Sequence, residues 1–163
     1  MSRFRRHWVC SLALIAAFTV PAEIAAASGP SGEMIDVINK VRAQHGLHAL
    51  RASPSLQRSS GAFSRRLMAA NRFGHASRVS ASRRFRRLGE ALALHPGGRL
   101  KVRGTVRRWL RSSGHRHIVL TRMRYIGAGV TQGRFGRRRA TIWVLQVGRL
   151  SPRAPSLPEV RLP

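Results

Sequence analysis

The stretch Ala140-Thr141-Ile142-Trp143-Val144-Leu145-Gln146-Val147 decides the fold class of this chain. Apolar side chains occupy both alternating faces, with Ile142 and Val144 on one face and Trp143 and Leu145 on the other. A strand that is apolar on both faces is covered on both faces. The sequence therefore predicts an α+β protein: a three-layer α-β-α sandwich whose small, mainly antiparallel sheet has helices on both sides.

A second strand precedes this stretch. Ile126, Ala128 and Val130 alternate with small residues, which is the period of a β-strand. Residues 132–136 contain two glycines and have the length of a hairpin loop. The two strands are therefore expected to close the domain as an antiparallel hairpin.

Helical spacing accounts for most of the chain before this hairpin. Ser31 is a fair N-cap for a first helix that Gly46 ends, and Ser53-Pro54 supplies a cap and a first-turn proline for a second helix that ends near Asn71-Arg72. Three further segments are predicted as helical: a basic turn over 82–88, a helix over 100–110, and a helix over 115–123 after an interruption at Gly114. Trp109 and Trp143 are expected to pack in the core.

Both ends of the chain differ from its centre. Residues 1–27 are typical of a secretory signal, with three arginines before an apolar run over 9–20 and a small-residue cleavage site at 25–27. We predict a secreted, periplasmic or cell-envelope protein with one domain over 28–150 and a proline-rich, disordered tail over 151–163. The apolar run is shorter than a membrane span needs, and no later stretch is apolar enough. The mature protein is therefore expected to lack a transmembrane segment.

The only cysteine, Cys10, lies inside this signal. The mature chain is expected to hold no thiol and no disulfide, and to fold on its hydrophobic core alone. The formal charge is +26, which becomes +24 once the three arginines and one glutamate of the signal are removed. Such a chain attracts anionic polymers and surfaces. The arginines are spread along the sequence, however, which favours a general surface property over one defined site.

Three motifs place two histidines and one acid at the edges of predicted elements. They are Phe73-Gly74-His75, Gly89-Glu90-Ala91-Leu92-Ala93 and the segment from Trp109 to Arg116. Glu90 is the only acidic residue in the central stretch of the chain. One carboxylate between two imidazoles is typical of a metal site or of an acid/base site.

These motifs resemble the CAP superfamily, also called the SCP or PR-1-like domain, in its bacterial secreted type. The resemblance extends over about residues 33–149. It includes the Asn, Arg and Gly-Leu of Ile38–Leu47, the three motifs above, and Ile126-Gly127-Ala128-Gly129-Val130 followed by Trp143. It implies an α-β-α sandwich with an open cleft that two histidines and two glutamates often line.

Carried over by position, the cleft is expected to be lined by His75, Glu90, Ser112 and His115. Ser112 stands where many family members have the second glutamate. By this resemblance, the chain has the family residue at three of the four cleft positions.

The chemistry open to these residues is limited. Candidate catalytic residues are His75, Glu90 and His115, and candidate metal ligands are His75 and His115. Two imidazoles are fewer than the three protein ligands usual for catalytic zinc, so no cofactor is expected to be required and any zinc is expected to bind weakly. Each residue also has a structural alternative: His75 as a helix-closing group, Glu90 as a held carboxylate and His115 as a link between helix and loop. The other histidines of the domain are expected on the surface: His45, His48, His95 and His117.

Three functions stay open at this level. The first is a non-catalytic binding module for a lipid, a cell-wall polymer or a protein. The second is a metal-assisted hydrolase that uses His75, Glu90 and His115. The third is a polyanion or anionic-surface binder driven by arginine charge, although no motif indicates a dedicated nucleic-acid partner.

Overall fold

A computed structural model of the chain describes residues 29–81 and 83–151. These residues form four helices and four strands, in this order: α1 Pro30–Gln44, β1 Arg51–Ala52, α2 Pro54–Ala69, β2 Phe85–Pro96, α3 Val102–Arg111, α4 Ser113–Leu120, β3 Tyr125–Phe135 and β4 Arg138–Leu150. Within the described part of the chain, no helix is long and apolar enough to cross a membrane. The predicted signal and nearly all of the predicted tail lie outside the described residues.

The four strands form one sheet in the order β1-β3-β4-β2. The two-residue β1 pairs with β3 in parallel, and the remaining pairs are antiparallel. Helix α2 packs on β3 and β4 on one face, whereas α1, α3 and α4 cover the other face. The predicted three-layer sandwich with a mainly antiparallel sheet is therefore confirmed.

The central strand β4 carries the core of both layers, as its sequence predicts. Trp143 and Leu145 pack with α1 and α3 in one hydrophobic cluster, and Ile142 and Val144 pack with α2 in the other. All four side chains are fully buried. The indole of Trp143 also donates a 2.8 Å hydrogen bond to the carbonyl of Leu100, which fixes the loop before α3.

Glycines bring the backbone of α2 into contact with β3. A β-carbon at Gly127 would overlap the backbone of Leu56, and one at Gly129 would overlap the carbonyl of Ser60. The side-chain amide of Gln57 stabilises this contact. It donates to the carbonyl of Ala128 at 2.6 Å and accepts from the N–H of Ala128 at 3.1 Å. Only glycine allows helix and strand to approach so closely.

Two predicted elements are wrong, and pairing with β4 explains both. The basic segment 82–88 was expected to be a helical turn. Strand β2 instead begins at Phe85, which pairs with Leu150 at the end of β4. The hairpin loop expected over 132–136 is mostly strand, since β3 continues to Phe135 and leaves only Gly136 and Arg137 as the turn. Gly136 takes the left-handed backbone conformation, φ +60°, that a tight hairpin turn requires.

The helix boundaries differ less. Ser53 caps α2 by accepting from the N–H of Leu56, as predicted. Ser31 does not cap α1, because the helix already begins at Pro30 after Gly29. The interruption expected at Gly114 lies instead at Ser112, whose extended conformation separates α3 from α4.

The end of α1 is anchored by two side chains. Asn39 pairs with both the N–H and the carbonyl of Leu50. Arg42 is 1% exposed, and its guanidinium donates to the carbonyls of His48, Val119 and Thr121 at 3.1, 2.8 and 2.9 Å. Arg42 thus ties the loop after α1 to the segment that leads into β3.

Candidate functional site

The candidate site wraps around β2, which is an edge strand of the sheet. Alternation along β2 places Glu90 on the α2 face, on the same side as Leu92. His75 lies in the loop after α2, and His115 comes from α4 in the opposite helix layer. The site therefore forms only where both helix layers meet this edge.

Glu90 is held by three hydrogen bonds. Its Oε1 accepts from Nδ1 of His75 and from the backbone N–H of Ala76, both at 3.1 Å, and its Oε2 accepts from Nε2 of Gln146 at 2.9 Å. The Glu90 side chain is 7% exposed, and among the described residues its contact with His75 is the only one within 4.0 Å between a carboxylate and a basic side chain. Both oxygens of this buried carboxylate therefore have hydrogen-bond donors within the protein.

His75 is the most accessible of the site residues, with 59% of its side chain exposed. Its Nδ1 donates to the carboxylate of Glu90, so Nε2 is the ring nitrogen that remains for a ligand. Within the described residues, Nε2 has no hydrogen-bond partner. His75 does not close α2 through a last carbonyl, which was its structural alternative; it bonds to Glu90 instead.

His115 and Ser112 form the second half of the site. Nδ1 of His115 lies 3.0 Å from Oγ of Ser112, and its ring centroid lies 6.5 Å from that of His75. Burial lowers the pKa of His115, and the nearby His75 and Arg108 lower it further. These effects disfavour protonation of His115, which links the extended residue between α3 and α4 to the edge of the site.

Gln146 completes the site and was not predicted from the sequence. It faces Glu90 across the β2–β4 pair, is 1% exposed, and donates to the carboxylate. Its Oε1 is buried and has no hydrogen-bond partner in the described part of the chain. An amide in an otherwise apolar, doubly covered strand is the signal that could have revealed it, since buried polar groups require partners.

The donor set does not match a closed zinc site. Within residues 29–81 and 83–151, no group of three or more His, Cys, Asp or Glu side chains is placed to hold a metal ion. Both oxygens of Glu90 already accept from protein donors, so only the imidazoles of His75 and His115 remain available. Two protein ligands fall short of the three or four that zinc usually takes, so the described residues do not fit the usual zinc site.

An apolar groove adjoins the site at His75. Its volume is about 250 Å³, and it runs from the end of α2 into the following loop. Phe63, Leu67 and Phe73 supply its apolar surface, and Arg66 and Arg72 supply charge. Phe73 is 44% exposed and carries the apolar surface of the groove out to solvent.

The remaining histidines divide into two groups. His45, His48 and His117 are exposed, as expected. His95 was expected on the surface but is 8% exposed, and its Nε2 lies 2.8 Å from Oγ1 of Thr105. Because β2 extends through Pro96, alternation places His95 on the α3 face of the sheet rather than in a loop.

Protonation of His95 and His115 is expected to destabilise the fold. Burial lowers both pKa values in the folded protein, with help from Arg108 in each case, whereas the unfolded value is 6.5. Between the folded pKa and 6.5 the unfolded chain binds more protons, so stability is highest above 6.5 and is lost as the pH falls through the folded pKa values. Urea midpoints at about pH 7.5 and about pH 5 measure this loss. A His95→Gln/His115→Gln double variant should lose less over the same interval, and an equal loss would contradict the assignment.

Comparison with known proteins identifies the fold family. The family model described as CAP, the cysteine-rich secretory protein family, matches residues 35–147. The chain belongs to the CAP family. No curated protein sequence matches this CAP chain closely.

Solved CAP and outer-surface proteins share the architecture at low identity. An outer surface protein of Borrelia burgdorferi superposes with a TM-score of 0.60 at 17% identity, covering 73% of this chain and 91% of that one. An extracellular SCP-domain protein of Bacillus anthracis gives 0.61 at 21%, covering 74% of this chain and 40% of that one. The venom allergen-like protein 4 of Schistosoma mansoni gives 0.61 at 14%, covering 77% and 91%. These likenesses establish the CAP fold of the chain.

Proposed function

We propose that this CAP protein is a secreted, non-catalytic module that binds an amphiphilic ligand beside His75. The observation that carries the proposal is the state of Glu90, which is 7% exposed and accepts three internal hydrogen bonds. A carboxylate held in this way positions its neighbours. It fixes His75 and the backbone of Ala76 against the sheet, next to the apolar groove.

The groove indicates the chemistry of the ligand. Its apolar surface from Phe63, Leu67 and Phe73 suits an alkyl chain, and Arg66 and Arg72 suit an anionic head group. The guanidinium of Arg66 lies 5.4 Å from the centre of the Phe63 ring, so charge and apolar surface adjoin. Among the lipid, wall-polymer and protein ligands that the sequence leaves open, this combination favours an anionic lipid.

Secretion is part of the same proposal. Residues 1–27 carry the pattern of a signal peptide. The Bacillus anthracis relative is described as extracellular, and the Borrelia burgdorferi relative as an outer surface protein. An anionic lipid is a ligand that a protein in either location meets.

Replacing Phe73 is expected to weaken binding of palmitate, an anionic lipid that serves as the probe. Phe73→Ser should raise the Kd about tenfold, because it removes a large apolar contact from the groove. Leu88→Ser is the matched control, since Leu88 is the other large apolar side chain exposed in the described residues, at 36%. Isothermal titration of the mature protein measures both. Binding that is unchanged in Phe73→Ser, or absent for both palmitate and phosphatidylglycerol vesicles, would refute the proposal.

A hydrolase is the second candidate, and one observation favours it. Nδ1 of His75 donates to Glu90 and leaves Nε2 on the exposed side of the ring, which is the arrangement of a general base. Hydrolysis of p-nitrophenyl palmitate by the mature protein, measured with and without zinc, tests this candidate. Turnover that is lost in both Glu90→Gln and His115→Ala would assign hydrolysis to this site, whereas palmitate binding without turnover supports the binding module.

A further inference from the structure

A second and larger cavity lies away from the His75–Glu90 site. Its volume is about 690 Å³, and its walls are the loop after α1, the segment 122–124 before β3, and the end of β4. The candidate site adjoins β2 at one edge of the sheet, whereas this cavity adjoins β1 at the other edge. Its size is that of a small-molecule site.

The cavity concentrates arginine side chains. Arg51, Arg122, Arg124 and Arg149 line it and are exposed, and Arg42 lines it from the interior. None of its lining residues is acidic. Among the described residues, Glu90 at His75 is the only carboxylate within 4.0 Å of a basic side chain, so no described carboxylate lies that close to the five guanidinium groups. Within the part of the chain that the structure describes, positive charge on three sides of the cavity is therefore not compensated.

Arg42 makes this charge part of the folded structure. It is 1% exposed, its Nε donates to the carbonyl of His48 in the cavity wall, and its Nη1 donates to the carbonyls of Val119 and Thr121 behind it. Its Nη2 has no hydrogen-bond partner in the part of the chain that the structure describes, although the residue lines the cavity. Burial of a charged group without an opposite charge is unfavourable, and a bound anion would offset it.

The walls are fixed in place before any ligand binds. Asn39 holds Leu50, next to Arg51, by two hydrogen bonds, and the N–H of Arg51 donates to the carbonyl of Arg124 at 2.9 Å. The N–H of Arg124 in turn donates to the carbonyl of Gly148. The backbones that carry Arg51, Arg124 and Arg149 are thus joined directly. Such preorganisation lowers the entropic cost of binding.

We propose that this arginine pocket is a binding site for a multiply charged phosphate group. Several guanidinium groups around one cavity match the oxygens of a phosphate monoester or a pyrophosphate, which accept paired hydrogen bonds from arginine. Guanidinium groups dominate the lining, which contains no Phe, Tyr or Trp side chain, so its chemistry favours phosphate oxygens as the main contact. The site is separate from the groove at His75 and does not depend on the function proposed for it.

Pyrophosphate titration of the full mature chain tests the pocket. Arg51→Gln/Arg124→Gln should weaken binding at least tenfold at about 150 mM salt, since each lost charged hydrogen bond costs about that factor. Arg103→Gln/Arg137→Gln is the matched control. Both residues are exposed and lie outside the pocket, and the double substitution removes the same amount of charge. The control should change the affinity less than about twofold. Equal losses in the two double variants, or no binding by the wild-type chain, would overturn the proposal.

Vesicles containing phosphatidic acid separate the two sources of such a group. Vesicle binding that pyrophosphate displaces, and that Arg51→Gln/Arg124→Gln abolishes, would assign the pocket to a lipid head group. Pyrophosphate binding without vesicle binding would assign it to a soluble phosphate. Phe73→Ser should leave pyrophosphate binding unchanged, so failure of the groove and failure of the pocket can be told apart.

Discussion

Gly129→Ala is expected to cost more than about 3 kcal/mol of the free energy of unfolding, a large share of the 5–15 kcal/mol typical of a domain. A β-carbon at this position would lie 2.5 Å from the backbone nitrogen of Gly61 and still closer to the carbonyl of Ser60. Backbone atoms inside a helix cannot move aside as a flexible side chain can. Helix α2 would have to lift from the sheet and separate Phe63 and Leu67 from Ile142 and Val144.

Gly133→Ala is the matched control for this substitution. Gly133 lies on the same face of the same strand, but a β-carbon there would meet only the side chain of Met68, at 3.0 Å. Methionine adapts to such changes, so the expected loss is below about 1 kcal/mol. Urea unfolding followed by circular dichroism measures both. Similar midpoints for the two variants would show that the backbone contact between α2 and β3 does not limit stability.

Arg42→Met is expected to destabilise the fold by about 3 kcal/mol or more. The substitution keeps an unbranched apolar side chain but leaves the carbonyls of His48, Val119 and Thr121 without their donor. Each unsatisfied buried carbonyl costs about 1–3 kcal/mol. Removing an uncompensated buried charge offsets part of this cost. The expected loss of unfolding free energy is therefore smaller than the summed cost of all the lost hydrogen bonds.

Arg122→Met provides the comparison, because Arg122 lines the same cavity but is exposed. Its effect should stay within about 0.5 kcal/mol. Thermal and urea unfolding of both variants, with wild-type protein alongside, separate the buried role of Arg42 from the general charge of the pocket. An Arg42→Met variant as stable as Arg122→Met would mean that the three carbonyls find other donors.

Elements with a strong local signal were predictable from the sequence. The doubly apolar stretch of β4 predicts the layers, and Ser53-Pro54 predicts the start of α2, because both signals lie within a few residues. The first half of β2 was not predictable in this way. Its basic residues have no strand pattern of their own, and they become a strand through pairing with β4, more than fifty residues away.

The same distinction applies to the sites. His75, Glu90, Ser112 and His115 could be named from motifs, and the structure brings them to one edge of the sheet. Gln146 could not, since its bond to Glu90 depends on the register between β2 and β4. The arginine pocket was hidden for a similar reason. Its arginines are spread along the sequence, and only the fold gathers them.

The contact between α2 and β3 also brings the repeat of a helix into register with the repeat of a strand. Leu56 meets Gly127, Ser60 meets Gly129, Ser64 bonds to Thr131 and Met68 meets Gly133, so four helical residues advance with every two strand residues. Four residues of helix rise about 6 Å and two residues of strand about 6.8 Å, so the repeats stay in step over the whole contact. A single-residue deletion in α2 would turn all later positions by about 100° and lose every subsequent match at once. Length changes should therefore accumulate in the loops of this protein and be excluded from α2 and β3.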